Sequence, residues 1–225
     1  MKAVHRLVWV EASLGPAAQE DFKMRVSQCL ECRDFPCADV KHACFVVPPV
    51  DAQPDAISAV MISEAAPENR DDYFYAKGDP LFQKTTVHAF NDAGAKVLST
   101  KDIVDRGVYL TTAVKCAKTG YGIATSTVKQ CSLLLEKELA LFPKMKALLL
   151  MGDVAIKALN AIAQRAGEKR VIPAGSTYKL RGQKYFFRGM RVFPSYLQAG
   201  PSFFIEKGKR RMIAEDIAAA LKLVE

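Results

Sequence analysis

The chain has 225 residues, half of them hydrophobic, and a formal net charge of +8 because 32 Lys and Arg residues outnumber 24 Asp and Glu residues. No apolar run approaches the roughly 20 residues of a membrane helix, and the start of the chain carries no recognisable secretory signal, so we expect a cytoplasmic protein with one domain. In that compartment the six cysteines are expected to be metal ligands or buried thiols rather than disulfides, and the positive charge favours a polyanionic partner.

Apolar runs and helical periodicity alternate along the chain. The apolar runs predict buried strands at residues 55–65, 108–116 and 146–153, and a hairpin at 177–193 that leads into a last strand. Helical spacing predicts helices at residues 15–28, 81–95, 126–142 and 154–167, and over most of 202–224. This alternation implies right-handed crossovers, and therefore a three-layer α/β/α sandwich around a central, mostly parallel four-stranded sheet.

Sites in such folds gather at the carboxyl ends of the strands. The segments that follow the predicted strands read "SEAAPENRDDYF", "TTAVKCAKTGYG", "MGDVA" and "FPSYLQAG". We therefore expect the functional side chains to lie in these four strings.

The strings and their surroundings resemble the motifs of the uracil-DNA glycosylase superfamily, in particular a divergent member of its iron–sulfur branch, family four and its relatives. "ISEAAP" resembles the first motif, Gly-Glu-Ala-Pro-Gly after a strand, and "GDPLFQKTTVHAFNDAG" resembles the segment whose aromatic ring stacks on the flipped base. "YLTTAVKC" is similar to Thr-Asn-x-Val-Lys-Cys, "LLLMGDVAIKAL" to Leu-Gly-x-x-Ala-x-x-x-Leu, and "VFPSYL" to the closing His-Pro-Ser-Tyr-Leu. The resemblance extends from Cys29 to about Leu197.

The resemblance also implies a set of cysteine ligands. These are Cys29 and Cys32 in "CLEC", a third at the end of the second strand, Cys116, and a fourth about fifteen residues further on, Cys131. Together they would hold a 4Fe-4S cluster that docks the Cys-rich segment 1–50 on a single domain spanning residues 1–225. A four-thiolate zinc site is the alternative, and unrelated buried thiols are another. Cys37 could displace one of the four ligands, and Cys44 is a spare.

The superfamily cleaves the N-glycosidic bond of a base that has left the stack. Glu64 stands at the acidic position of the first motif and is the expected catalytic residue. The resemblance assigns base or substrate binding to seven further positions: Ser63, Ala65, Pro67, Leu81, Phe82, Thr112 and Phe193. Backbone amides and side chains of the closing motif and a basic cluster are expected to contact DNA, single- or double-stranded: Pro194, Ser195, Lys207, Lys209, Arg210 and Arg211.

Three positions depart from the family pattern. The asparagine that reads the uracil edge is Thr112 here, and a hydroxyl offers fewer hydrogen bonds than an amide. The histidine that stabilises charge on the base is Phe193, which cannot donate a hydrogen bond. The first motif has one extra residue and begins with Ser63 instead of glycine. His5, His42 and His88 are not expected to substitute.

These departures leave three functions open. The first is a DNA repair glycosylase that excises uracil or another deaminated or damaged base. The second is a non-catalytic, nucleic-acid-binding iron–sulfur protein of the same superfamily, and the third is an enzyme of another class on this scaffold. A chain of this size is expected to be a monomer.

Overall fold

The computed structural model describes residues 23–224. His5 and the first part of the helix predicted at 15–28 lie outside the described residues. The described part of that segment forms a short strand, Met24–Arg25, and a 3-10 turn, Val26–Gln28. The helix prediction is therefore wrong for residues 24–28.

The parallel strands of the central sheet alternate with helices in the order that the sequence predicts, and several short strands and helices add to them. The strands are β1 Met24–Arg25, β2 Val40–Lys41, β3 Asp51–Ala52, β4 Ala59–Ala65, β5 Val108–Val114, β6 Ala117–Lys118, β7 Ala147–Met151, β8 Tyr185–Phe187 and β9 Met190–Ser195. The helices are α1 Leu81–Asp92, α2 Thr100–Asp105, α3 Thr125–Leu139, α4 Asp153–Arg165, α5 Thr177–Leu180, α6 Ser202–Ile205 and α7 Lys207–Leu221. Across residues 23–224, none of the helices is long and apolar enough to cross a membrane.

The central sheet has five strands in the order β5-β4-β7-β9-β8. The first four run parallel, and β8 pairs antiparallel with β9. The predicted hairpin is confirmed for β8 and β9 but is wrong for residues 177–180, which form α5. Strand β8 adds a short edge strand to the four that the sequence predicts.

Helices cover both faces of this sheet, as expected for parallel strands. Residues of α3 and α4 join one buried cluster, and residues of α1, α2 and α7 join the other. On β5, Tyr109 and Ala113 face the first cluster while Leu110 faces the second, because successive side chains of a strand point to opposite faces. The three-layer α/β/α sandwich is confirmed.

Two small antiparallel ribbons attach the start of the described chain to this sandwich. β1 pairs with β3, and β2 pairs with β6. The second ribbon brings the cysteine segment, which we define as residues 29–44, beside the loop that follows β5.

A fully buried ion pair joins the end of β5 to α3. Lys115 Nζ donates to Glu138 Oε2 at 2.5 Å, and both side chains have no exposed surface. The ammonium also donates to Thr111 Oγ1 at 2.7 Å and to the Thr112 carbonyl at 2.6 Å. Glu138 Oε1 accepts from Tyr109 at 2.8 Å. Because buried charges cost little only when they are paired and hydrogen-bonded, each partner requires the other.

Removing one partner of this pair should destabilise the fold more than removing both. Lys115→Met leaves the Glu138 carboxylate buried without its cation, which should lower the free energy of unfolding by about 3–5 kcal/mol. The double variant Lys115→Met, Glu138→Leu should recover most of that loss. Urea denaturation of both variants measures the difference, and equal losses would contradict an energetic dependence of one charge on the other.

Candidate active site

A cavity of about 440 Å³ opens at the carboxyl ends of β4 and β5. Three segments line it: residues 64–68, 117–120 and 199–202. Leu197 and Phe82 of α1 complete the lining. This is the position at which parallel α/β sheets bind their ligands. We refer to it as the active cavity.

Glu64 lies at the amino-terminal end of α4. The Val154 amide donates to Glu64 Oε1 at 3.5 Å, and a helix amino terminus favours a negative charge. Gly152 permits this approach, because a Cβ at that position would stand 2.5 Å from Glu64 Oε1. Its φ of +103° also suits glycine alone. The Glu64 carboxylate therefore lies in the wall of the cavity, in a space that exists only because residue 152 has no side chain.

Of the two expected stacking residues, Phe82 lines the active cavity. Its ring centroid lies 5.3 Å from that of Phe74, which is fully buried and supports it from behind. Leu81 begins α1, and its amide donates to Asp72 at 3.3 Å. Ala65 and Pro67 also line the cavity. The structure thus brings Glu64 and Phe82 to one surface.

Three base-binding positions lie in the interior instead. Ser63 and Thr112 are fully buried neighbours on β4 and β5. Within residues 23–224, Thr112 Oγ1 and the Tyr73 hydroxyl are the two buried side-chain polar atoms that lack a hydrogen-bond partner. Phe193 is buried in the apolar cluster beneath α7. These three positions do not border the active cavity, so a base would reach them only after a rearrangement.

Gln198 was not anticipated from the sequence, although it follows the closing motif directly. Its side chain is fully buried, and Nε2 donates to Ser63 Oγ at 2.9 Å and to Thr86 Oγ1 at 3.3 Å. Its chain neighbours, Leu197 and Ala199, line the active cavity. A buried amide and two hydroxyls therefore form a polar cluster directly behind the cavity wall.

The closing motif was expected to contact DNA, but two of its residues are buried. Pro194 and Ser195 are buried in β9. Ser195 Oγ donates to Asp216 Oδ2 at 2.6 Å, and that carboxylate also accepts from Arg181 at 2.8 Å. The Ser195 hydroxyl is thus committed to an internal network that joins β9 to α7.

The basic cluster lies at the start of α7, where several of its charges already have acidic partners. Arg210 donates to Asp92 at 2.8 Å, and Lys209 pairs with Glu206 at 2.7 Å. Arg211 lies 3.7 Å from Glu215, and Lys207 is the first residue of the helix. Contact with DNA would compete with these pairs.

The loop after β5 also supplies a cation that the sequence did not single out. Lys118 is exposed on the rim of the active cavity. Its ammonium lies 5.8 Å from the ring centroid of Tyr121, which is fully exposed. The sequence signal for this lysine was "KTGYG", a polar turn with two glycines that comes soon after a predicted strand.

A second cavity, of about 600 Å³, lies beside α3. Five cysteines line this thiol cavity: Cys29, Cys32, Cys37, Cys116 and Cys131. Cys44 does not line this cavity, and its thiol donates to the Glu68 carbonyl at 3.3 Å. The fold therefore brings all four predicted ligand positions together, and adds Cys37 to them.

The chemistry of this donor set suits a cationic cluster. Burial raises the pKa of Cys116 to about 12, and burial also raises the pKa of Cys131. Thiols in such surroundings ionise when a metal supplies the compensating positive charge. Within residues 23–224, no three His, Cys, Asp or Glu side chains are grouped closely enough to hold a single metal ion. A four-iron cluster spreads its thiolates over different irons and so uses a wider arrangement.

The cysteine segment braces both loops of the active cavity. Asp39 accepts through its carbonyl from the Thr119 amide at 3.2 Å and through its carboxylate from the Ala124 amide at 2.6 Å. On the other side, Lys41 forms an ion pair with Glu68. The cysteine segment, which lines the thiol cavity, therefore also contacts both loops of the active cavity.

These features define an α/β/α protein whose candidate active site lies at the carboxyl ends of its parallel strands. A family model of the uracil DNA glycosylase superfamily matches residues 54–215, and the chain belongs to that superfamily. No curated protein matches the chain. The matched range includes Glu64, Phe82 and Thr112 but begins after the cysteine segment, so membership of the iron–sulfur branch stays a prediction.

The contact between Gly152 and Glu64 predicts a specific coupling. Gly152→Ala and Gly167→Ala both place alanine at a positive φ, and the backbone of Gly152, with φ +103° and ψ +169°, lies in a region that is essentially restricted to glycine. Gly152→Ala should cost more, since its methyl group also displaces the Glu64 carboxylate, whereas a Cβ at Gly167 meets no atom within 4 Å. Urea denaturation measures both losses.

The double variant Gly152→Ala, Glu64→Ala provides the control. Without the glutamate side chain, the part of the cost that arises from contact with Glu64 should disappear, while the backbone part remains. An extra cost that is unchanged in the double variant would show that it arises from the backbone alone.

Proposed function

We propose that the chain is a DNA glycosylase that excises uracil or another deaminated or damaged base by hydrolysis of the N-glycosidic bond. The observation that carries this proposal is the placement of Glu64 and Phe82 on one cavity at the carboxyl ends of the sheet. Membership of the superfamily supports the reaction class. The non-catalytic alternative has no comparable observation in its favour.

The target nucleotide leaves the duplex because its reacting bond is inaccessible in the stack. Phe82 offers a supported aromatic face on which the base can stack. The base departs with the bonding electron pair, and water adds to C1′ of the sugar and loses a proton. The Glu64 carboxylate orients that water and stabilises the positive charge on the sugar.

The polar groups behind the cavity suggest how the base is read. Thr112 carries a hydroxyl without a partner, and Gln198 carries the nearest buried amide, which contacts Ser63. An amide both donates and accepts, so Gln198 can supply the edge recognition that the family assigns to an asparagine. Reading by Gln198 requires its side chain to turn toward the cavity when the base enters.

The same proposal includes a 4Fe-4S cluster held by cysteines of the thiol cavity, with zinc as the alternative. The cluster would act as a cross-link between the cysteine segment, β5 and α3. Asp39 and Lys41 transmit that rigidity to the loops of the active cavity. The cysteine residues position these loops and take no part in bond cleavage.

Glu64→Gln should lower the excision rate at least about 100-fold, the usual contribution of a positioned acid or base, while DNA affinity is retained. The measurement is single-turnover cleavage of a panel of single- and double-stranded oligonucleotides carrying modified bases. Glu168→Gln, which changes an exposed carboxylate paired with Arg188, is the matched control.

Unchanged turnover in Glu64→Gln would remove Glu64 from the mechanism. Binding without excision of any base by the unsubstituted protein would instead favour the non-catalytic alternative.

Lys118 provides a second test, because a lysine on the rim of the active cavity should contact a phosphate. Lys118→Ala should reduce the slope of log affinity against log salt for duplex DNA by about 0.9. The control is Lys184→Ala, an exposed lysine beside β8 at the opposite edge of the sheet. Fluorescence anisotropy at several salt concentrations gives both slopes, and equal slopes would place the DNA elsewhere.

A further inference from the structure

The thiol cavity contains one cysteine more than a four-iron cluster requires. Cys116 and Cys131 are buried in the apolar cluster beside α3, and Cys32 packs against it, so we take these three as ligands. Cys29 and Cys37 compete for the fourth place, the first by its CxxC spacing with Cys32 and the second by its position in the fold. The inference rests on the cluster that the proposed function includes.

Cys29 is the exposed member of the set. It closes the 3-10 turn Val26–Gln28, and its thiol points back to that turn, where Sγ donates to the Arg25 carbonyl at 3.7 Å. A ligand in this position would be open to water on one side. Among the cysteines that line the thiol cavity, Cys116 and Cys131 are buried and Cys32 and Cys37 are half-buried, so Cys29 is the ligand position least protected from water.

Cys37 is half-buried and packs against the same apolar cluster as Cys32. Two residues later, the carboxylate of Asp39 accepts hydrogen bonds from the Ala124 amide at 2.6 Å and from Thr127 Oγ1. These bonds fix the chain around Cys37 against the start of α3.

The hydrogen bonds of Asp39 hold the segment of Cys37 against the helix that carries Cys131, a predicted ligand. Thr127 and Cys131 are four residues apart on α3, and residues at this spacing lie on one face of a helix. The carbonyl of Cys37 is held by His42 Nε2 at 2.6 Å, which further restricts its backbone. Cys131 in turn accepts from the Lys115 amide at 3.2 Å. The segment that carries Cys37 is thus anchored one helical turn before Cys131.

The packing of the thiols supports the same set. Cys116 and Cys131 belong to the buried apolar cluster beside α3, and Cys32 and Cys37 pack against it. Cys29 lines the thiol cavity but does not pack against that cluster.

We propose that the four cluster ligands are Cys32, Cys37, Cys116 and Cys131, and that Cys29 is dispensable for cluster binding. The chain then departs from the CxxC arrangement that its sequence suggests. The ligand spacing in the cysteine segment becomes C-x4-C.

Iron and acid-labile sulfide content, together with visible absorption, test this assignment without reference to activity. Cys29→Ser should keep the iron content of the unsubstituted protein, about four atoms per chain for a 4Fe-4S cluster. Cys37→Ser should lose iron and visible absorption several-fold. Cys44→Ser is the matched control, since its thiol lies outside the thiol cavity, and it should retain iron.

The double variant Cys29→Ser, Cys44→Ser is the decisive sample, because it keeps only the four proposed ligands. Its expected result is retained iron, which misfolding could not produce. It should still carry the full complement of iron. Iron loss in this variant, or in Cys29→Ser alone, would overturn the proposal, and so would full iron in Cys37→Ser. An unsubstituted protein that contains zinc or no metal would instead refute the cluster of the proposed function.

Discussion

The buried pair of Lys115 and Glu138 lies between the two cavities of this protein. The lysine follows β5 directly, and its ammonium holds the Thr112 carbonyl and the glutamate of α3 at once. Its main-chain amide donates to the sulfur of Cys131, and the next residue is Cys116. Because two charges without access to water must satisfy each other, this pair fixes how β5 and α3 meet. The thiol cavity and the loop that borders the active cavity both depend on that junction.

The cysteine segment extends the same constraint across the surface. Asp39 holds the loop after β6, and Lys41 and Cys44 hold the loop after β4 through Glu68. The two loops are walls of the active cavity. A metal at the thiols would therefore influence the active cavity through the position of these two loops.

Much of the fold could be predicted because its signals are local. The apolar runs around β4, β5 and β7 are long enough to identify buried parallel strands, and Gly94 and Pro143 mark the ends of α1 and α3. Helix α2 was missed because it has only six residues, although its capping box, Ser99 with Asp102, was a readable signal. The short ribbon of β2 and β6 could not be predicted, since each strand has two residues and pairing depends on the tertiary structure.

The candidate site was predictable to the extent that function follows strand ends. Glu64 follows a strand end, whereas Phe82 lies on α1 and was identified from the resemblance of its motif. The burial of Ser195 and the pairing of Arg210 with Asp92 were not visible, because their partners lie 21 and 118 residues away. Cys37 was considered only as a replacement for one of the four ligands, since sequence spacing favours CxxC and cannot show that Asp39 contacts α3.

The residues that line the thiol cavity all fall between positions 28 and 137, whereas the active cavity also needs residues 199–202. During synthesis, the ribosome therefore delivers the complete set of sulfur atoms before β7, β9 and α7 exist. A cofactor inserted at that stage would anchor the first two parallel strands while the nascent chain is still growing. The active cavity would close last, on a half of the fold that the cofactor already holds together.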